Sequence, residues 1–243
     1  MSWRKPIEFG LSGGVTSITL AWVLGRLPRS SIVDWMIAIG VAFLVPETIF
    51  VDLQQWRGVP SHFNVRTPFD AAIFDAMAVG IGVVGLAILL ATVRSLGRVS
   101  AGPATALAIR LGLLFLMIGQ VLGGLIIVNY FSTDVPIESA SIVGAAGQLK
   151  VPHALALHGV QVLAILAVIL ERTRVSARAA AIAVGSCALG YGLLLAAATL
   201  QTYSGLSPLA LSPLALLASL VGAVLVGGPY LRGVAALLRP SLA

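Results

Sequence analysis

Long apolar segments separated by short polar ones dominate this chain of 243 residues. A transmembrane helix needs about 20 predominantly apolar residues to cross a hydrocarbon layer roughly 30 Å thick. Seven segments satisfy that requirement, near residues 8–25, 32–54, 69–93, 104–130, 153–170, 179–201 and 209–237. The pattern therefore predicts an all-α fold, an integral membrane bundle of seven transmembrane helices that forms a single domain over residues 1–243.

Proline and glycine mark the expected ends of several spans. Pro103 follows Gly102 at the start of the fourth span, and Pro152 lies at the start of the fifth. Thr67 precedes Pro68, an order that predicts a threonine cap with proline at the first helical position of the third span. Arg66 and Asp70 are four residues apart there, a spacing at which they could pair on the helix start for a gain of only a few tenths of a kcal/mol.

The amino-acid composition restricts the classes of protein to which the chain can belong. Hydrophobic residues make up 58% and charged residues only 10%, whereas soluble domains carry about 25% charged residues. This excludes a soluble enzyme, a disordered chain and a nucleic-acid-binding protein, and leaves membrane lipids as the expected surroundings. The single cysteine, Cys187, excludes an intramolecular disulfide and a cysteine-based metal site.

The charges are distributed unequally between the two ends of the predicted bundle. The connections on the side of the C-terminus hold ten basic and two acidic residues, and the side of the N-terminus holds five basic and seven acidic residues. Cytoplasmic loops are enriched in lysine and arginine. We therefore expect an external N-terminus and a cytoplasmic C-terminus, in a multi-pass protein of a bacterial inner (cytoplasmic) membrane.

All three histidines and most of the acids fall on the predicted external side, which suggests a metal pocket there. Zinc accepts three histidine ligands and keeps a water position open. In this hypothesis His62, His153 and His158 bind a divalent metal, zinc or iron. Glu47 or Asp70 would act as the catalytic base in hydrolysis of a lipid-like or small substrate. Further polar groups of the same pocket would be Asp52, Asn64, Asp75 and Gln161.

Helical spacing limits this hypothesis. His153 and His158 are five residues apart, which is about 140° of rotation around a helix, so they do not share a face. His158 and Gln161, three apart, do share one.

Three alternatives remain open, so the sequence leaves undecided whether the protein is an enzyme. The first is a proton-coupled transporter or channel that uses Glu47 and Asp75, with Arg110 and Gln120 along the path, since ionisable groups at membrane depth mark functional sites. The second is haem b held by His158 and another histidine. The third is a structural subunit of a membrane complex. The oligomeric state and partner proteins are not determined by the sequence.

Two segments resemble a family of uncharacterised bacterial polytopic membrane proteins with seven helices. They are S-H-F-N-V-R-T-P-F-D at residues 61–70 and H-A-L-A-L-H-G-V-Q at residues 153–161. The resemblance implies a polytopic membrane fold and brings no activity with it.

Two better-known groups of seven-helix proteins differ from this chain. Microbial rhodopsins hold retinal on a lysine of the last helix, and the only lysines here are Lys5 and Lys150, so retinal is excluded. Zinc hydrolases of the alkaline ceramidase and adiponectin receptor type are similar in the chemistry expected. Their late histidine pair is spaced four apart, however, and His153 and His158 are spaced five apart on the fifth helix, with two helices following.

Overall fold

The computed structural model describes residues 2–133 and 135–238, and this part of the chain is almost entirely helical. The α-helices are α1 (Arg4–Leu24), α2 (Ser31–Ala42), α3 (Leu44–Trp56), α4 (Pro68–Ser95), α5 (Pro103–Ser132), α6 (Lys150–Glu171), α7 (Ala177–Tyr203) and α8 (Pro213–Leu237). Between α5 and α6 lie a 3₁₀ turn (Ile137–Ser139) and a small antiparallel pair, β1 (Ile142–Val143) and β2 (Gly147–Gln148).

Seven helical segments of the described chain are long and apolar enough to cross a membrane, which confirms the predicted number. Six of them are single helices. The second is Ser31–Trp56, which contains α2 and α3 with an interruption at Phe43. Asp134 and Arg239, which were counted in the charge distribution between the two ends of the bundle, lie outside the described residues.

The caps show why several helices start where they do. The Thr67 hydroxyl accepts a hydrogen bond from the amide of Asp70 at 3.1 Å, with Pro68 first in α4, as predicted. The Ser212 hydroxyl accepts from the amide of Ala215 at 3.3 Å and starts α8 at Pro213. The last span therefore begins four residues after its predicted start near residue 209, because this cap leaves residues 207–211 in the preceding loop.

The chain divides into two compact units, a division that the sequence pattern did not predict. The first unit consists of Met1–Arg98 and Tyr130–Ala140, and the second of Val99–Asn129 and Ser141–Ala243. The first unit therefore holds α1 to α4, and the second holds most of α5 together with α6, α7 and α8.

The core of the first unit lies among its four helices. Leu20 of α1, Ile37 of α2, Val51 of α3 and Ile88 of α4 are each no more than 1% exposed. In the second unit the core forms around Leu163 and Leu166 of α6 and Val184 and Cys187 of α7, together with further buried residues of α5, α6 and α7.

Glycine allows α7 and α8 to approach closely within the second unit. A Cβ atom on Gly190 would lie 2.6 Å from the Cβ of Leu225, and one on Gly222 would lie 2.7 Å from the carbonyl oxygen of Gly190. Close backbone approach at small residues is how membrane helices gain van der Waals contact.

Large apolar side chains cover much of the outer surface. Ile18 is 73% exposed, Trp35 69%, Val224 72% and Leu231 74%. A water-soluble protein rarely exposes extended apolar surface, and a lipid environment requires it. The exposed faces therefore fit the apolar spans of a multi-pass membrane protein.

Candidate functional site

The loop between α3 and α4, residues 57–67, folds back into the first unit. Ser61, Phe63 and Asn64 of this loop are at most 8% exposed. The Asn64 amide donates to the carbonyl oxygen of Pro60 at 3.2 Å, and its side-chain oxygen accepts from the amide of Arg66 at 3.3 Å. The predicted pocket residue Asn64 thus shapes the loop through its own neighbours.

Phe63 has an unusual backbone conformation, with φ at 60° in the left-handed region. A residue with a Cβ pays roughly 1–2 kcal/mol for that conformation, so packing must hold it there. The Phe63 ring lies 4.5 Å from the Tyr130 ring, 5.5 Å from the Phe74 ring and 6.4 Å from the Phe131 ring, measured between centroids. This aromatic cluster fixes the residue that follows His62.

Asp70 is engaged by a closed set of polar groups. It is 3% exposed, and Gln54 donates to its Oδ1 at 3.0 Å while Arg57 donates to the same oxygen. The Thr67 hydroxyl donates to its Oδ2 at 2.7 Å. In place of the pairing with Arg66 that the spacing would allow, Arg57 at the end of α3 reaches the carboxylate, and Arg66 is exposed. These bonds give Asp70 the role of joining α3 to the start of α4.

His62 lies between a lysine and a glutamate. The Lys5 ammonium is 3.2 Å from His62 Nδ1, and His62 Nε2 is 3.6 Å from Glu47 Oε1. The Ser61 hydroxyl is 3.1 Å from Nδ1, and the Phe9 ring packs edge-on against the imidazole at 5.3 Å between centroids. We call Lys5, His62 and Glu47 the relay triad.

Glu47 is the most deeply placed member of the relay triad. Its side chain is 7% exposed, and its Oε2 atom is buried without a hydrogen-bond partner among the described residues. It lies nine residues before the end of α3, about 14 Å along the helix from Trp56. A buried ionised carboxylate costs several kcal/mol unless it is paired, so this oxygen requires a proton, a cation or a donor.

The tautomer of His62 follows from the groups around it. An ammonium group only donates hydrogen bonds, so Nδ1 accepts from Lys5 and the ring proton of a neutral imidazole lies on Nε2. That proton points towards Glu47 Oε1. The 3.6 Å separation is longer than a hydrogen bond, so transfer to Glu47 requires a small side-chain movement. The arrangement can conduct a proton between the half-buried Lys5 and the buried carboxylate.

In the second unit, His153 of α6 packs against α5. Its Nδ1 is 2.8 Å from the carbonyl oxygen of Gly119, and a Cβ on Gly123 would come within 2.9 Å of its ring. A carbonyl only accepts, so Nδ1 carries the proton and a neutral ring keeps its lone pair on Nε2. His158 is half-buried and Gln161 is 7% exposed on the same helix.

The two acids that remain are separate from the relay triad. Asp52 is half-buried in α3, and Asp75 is on an exposed part of α4. Neither side chain has a hydrogen bond or an ion pair with another residue of the described ranges.

The predicted metal ligands fall in different parts of the chain, His62 in the first unit and His153 with His158 in the second. Within residues 2–133 and 135–238, no group of three or more His, Cys, Asp or Glu side chains is arranged to hold a metal ion. The structure thus does not support the metal pocket, which stays a prediction, as does haem b.

Several contacts of the site were not predicted. Lys5, Gln54 and Arg57 had no place in the predicted pocket, although Gln54 and Arg57 are one helical turn apart and end α3. That spacing was a usable signal for a polar helix end. Lys5 offered none, because its partner lies 57 residues away.

Comparisons with known proteins found no relatives: no family model, no curated protein and no solved structure matches the chain. The resemblance of residues 61–70 and 153–161 to a bacterial membrane family stays a prediction.

Proposed function

We propose that the protein is a proton-coupled transporter of a bacterial cytoplasmic membrane, with the relay triad as its proton-binding site. The observation that supports this most directly is Glu47, which is buried within the second apolar span, with one carboxylate oxygen facing His62 and the other without a hydrogen-bond partner among the described residues. Ionisable side chains at such depth are expensive and mark ion or proton pathways.

The proposed orientation follows the charge distribution. The basic connections are cytoplasmic and the N-terminus is external, so Lys5 and the loop of residues 57–67 face the outside. Protons then reach Glu47 from the external solution through Lys5 and His62.

One transfer moves one proton and leaves the imidazole neutral. The N–H bond of the Lys5 ammonium breaks as an N–H bond forms at His62 Nδ1, and the His62 Nε2–H bond breaks as an O–H bond forms at Glu47 Oε1. Lys5 is left neutral and regains its proton from solvent. The histidine ends with its proton on Nδ1 and resets by a ring flip or by the reverse transfer. Histidine is suited to this because it titrates near neutral pH and has two distinct nitrogens.

Other charged groups on the surrounding elements have partners or positions of their own. Arg4 and Glu8 of α1 form an exposed pair, and Asp70 is bonded to Arg57. The remaining charged residues on these elements are Arg66, Asp52, Asp75 and Arg94, of which Arg94 pairs with Asp34. Proton uptake at the site is therefore assigned to the triad.

Proton flux into proteoliposomes tests the proposal. Full-length protein reconstituted with an internal pH dye should conduct protons when an inward gradient is imposed, and Glu47→Gln should reduce this flux at least tenfold. Glu138→Gln is the matched control, since Glu138 is an exposed carboxylate of the first unit. Equal flux in wild type and Glu47→Gln, or no flux above empty vesicles, would refute the proposal.

A metal-dependent hydrolase is the second candidate, and one contact favours it. The bond from His153 Nδ1 to the Gly119 carbonyl leaves Nε2 as a lone-pair donor, the state in which histidines bind metals. Elemental analysis of protein purified without chelators tests it: near-stoichiometric zinc or iron that is lost in His153→Ala would support the hydrolase.

A further inference from the structure

We propose that Glu47 and the break between α2 and α3 together form a binding site for a small alkali cation, and that this cation competes with the proton. The inference rests on the proposed function only in treating Glu47 as part of a transport path. In this view an alkali cation is the species that is exchanged for the proton.

The Glu47 carboxylate needs a second partner, which can be a proton, a cation or a hydrogen-bond donor. Its Oε1 faces His62, whereas its Oε2 is buried and has no donor among the described residues. A proton or a bare cation satisfies such an oxygen, because either one compensates the charge inside a low-dielectric environment.

The interruption between α2 and α3 lies one turn before Glu47, and the Ala42 carbonyl is the oxygen there that lacks its usual helical donor. The α2 helix ends at Ala42 and α3 begins at Leu44, with Phe43 between them. Pro46 has no amide hydrogen, so it cannot donate the usual helical bond to the Ala42 carbonyl. In the discontinuous helices of transporters, backbone carbonyl oxygens that lack a helical donor coordinate Na⁺ or protons, and the Ala42 carbonyl offers an oxygen of the same chemistry.

The Glu47 side chain originates one turn after this break. Side chains in an α-helix tilt towards the N-terminal end and lie over the preceding turn. For Glu47 that turn is residues 43–44, since its own amide donates to the carbonyl of Phe43 at 3.2 Å. A carboxylate and backbone carbonyls are hard oxygen ligands of the kind that alkali cations prefer over nitrogen or sulfur.

Competition between the two ions follows from their sharing one carboxylate. When Glu47 holds the proton, it has no charge to offer a cation. When it has lost the proton to His62, the cation compensates the negative charge. A single buried acid would in this way exchange one alkali cation for one proton.

Thermal unfolding of the full-length protein in detergent tests the cation site. We expect the unfolding midpoint of the wild type to be several degrees higher in NaCl than in choline chloride of equal concentration at alkaline pH, because a ligand that binds only the folded state raises stability. LiCl and KCl define the preferred size. Identical midpoints in all four salts would overturn the inference.

Two variants test whether the stabilisation by Na⁺ comes from this site. Glu47→Gln should abolish the rise of the unfolding temperature in NaCl. Pro46→Ala keeps the carboxylate, and in this variant a higher Na⁺ concentration should be needed to reach half of that rise. Glu138→Gln should keep the rise unchanged. A full rise in Glu47→Gln would overturn the inference, as would a Pro46→Ala response identical to that of the wild type.

The two proposals can fail separately. Proton flux that depends on Glu47 without stabilisation by any alkali cation would leave the proposed function standing and reject the cation site. Stabilisation by Na⁺ through Glu47 without proton flux would reject the proton relay and retain the cation site.

Discussion

At the scale of single residues, Phe63 shows how the site is held in place. Its left-handed backbone turns the loop so that His62 faces inwards, and its ring is kept there by Phe74, Tyr130 and Phe131. Strained residues persist only where their surroundings determine them. The strain at Phe63 is therefore a cost that packing offsets next to His62 of the relay triad.

This predicts that glycine is a more stable replacement than alanine at Phe63, the opposite of the usual order within a helix. Both substitutions remove a buried ring and should lower the free energy of unfolding by about 3 kcal/mol. Phe63→Gly should nevertheless be about 1 kcal/mol more stable than Phe63→Ala, since glycine adopts positive φ without cost. Denaturant unfolding in detergent micelles measures the difference.

Phe74 provides the matched control, because it belongs to the same cluster but lies within α4. Glycine should be the less stable replacement at Phe74, by roughly 1 kcal/mol. If alanine is the better residue at both positions, the backbone of Phe63 is not strained.

The residue scale is also where sequence reasoning reached least far. Glu47 was predicted as a site residue from its depth alone. Its contact with His62 depends on a loop conformation set by Phe63, and no local pattern encodes a positive φ at phenylalanine. Asp70 was predicted as a base, although its bonds to Gln54, Arg57 and Thr67 make it a link between helices. Contacts between distant positions are invisible in the spacing of residues along one helix.

At the scale of secondary-structure elements, the helices follow from local signals. The predicted spans match the helices closely, because apolar length and proline caps act within a few residues. The start of α8 was misplaced because the apolar residues at 209–211 continue the hydrophobic pattern, while the Ser212 cap determines the helix start. The break at Phe43 was missed because apolar residues continue directly through it, from Val41 to Val45.

The close packing of α7 against α8 in the second unit predicts how two glycine substitutions in α7 change stability. Gly190→Ala should lower the free energy of unfolding by about 1–3 kcal/mol, because the new methyl group would overlap Leu225 and the backbone of Gly222. Gly185→Ala, on the same helix with nothing within 4 Å of the added atom, should be neutral or stabilising by up to about 1 kcal/mol. Thermal unfolding of both variants measures this; equal effects would show that α8 does not pack at Gly190.

At the scale of the whole molecule, the composition determined the class of protein. Seven helices capable of spanning a membrane were predicted from apolar length, and the structure confirms them. The division into two units was not predicted, since it depends on which helices contact one another. The orientation rests on the distribution of arginine and lysine.

Labelling of single cysteines tests that orientation. Arg66→Cys, in the exposed part of the loop between α3 and α4, should react with a membrane-impermeant maleimide in intact cells. Arg174→Cys, in the exposed connection between α6 and α7, should react only after permeabilisation. The native Cys187 is fully buried, so the unmodified protein measures the background. Labelling of residue 174 but not of residue 66 in intact cells would reverse the proposed topology.

The central claim is that Glu47 takes up and releases a proton. Infrared difference spectroscopy of the full-length protein, recorded while the pH is changed, detects the carbonyl stretch of a protonated carboxylic acid. The other acids of the chain also contribute to this region on acidification, so the difference between the wild type and Glu47→Gln carries the information. We expect one component of the wild-type band to be missing in Glu47→Gln and to be retained in Glu138→Gln. Identical bands in the wild type and Glu47→Gln would contradict the account.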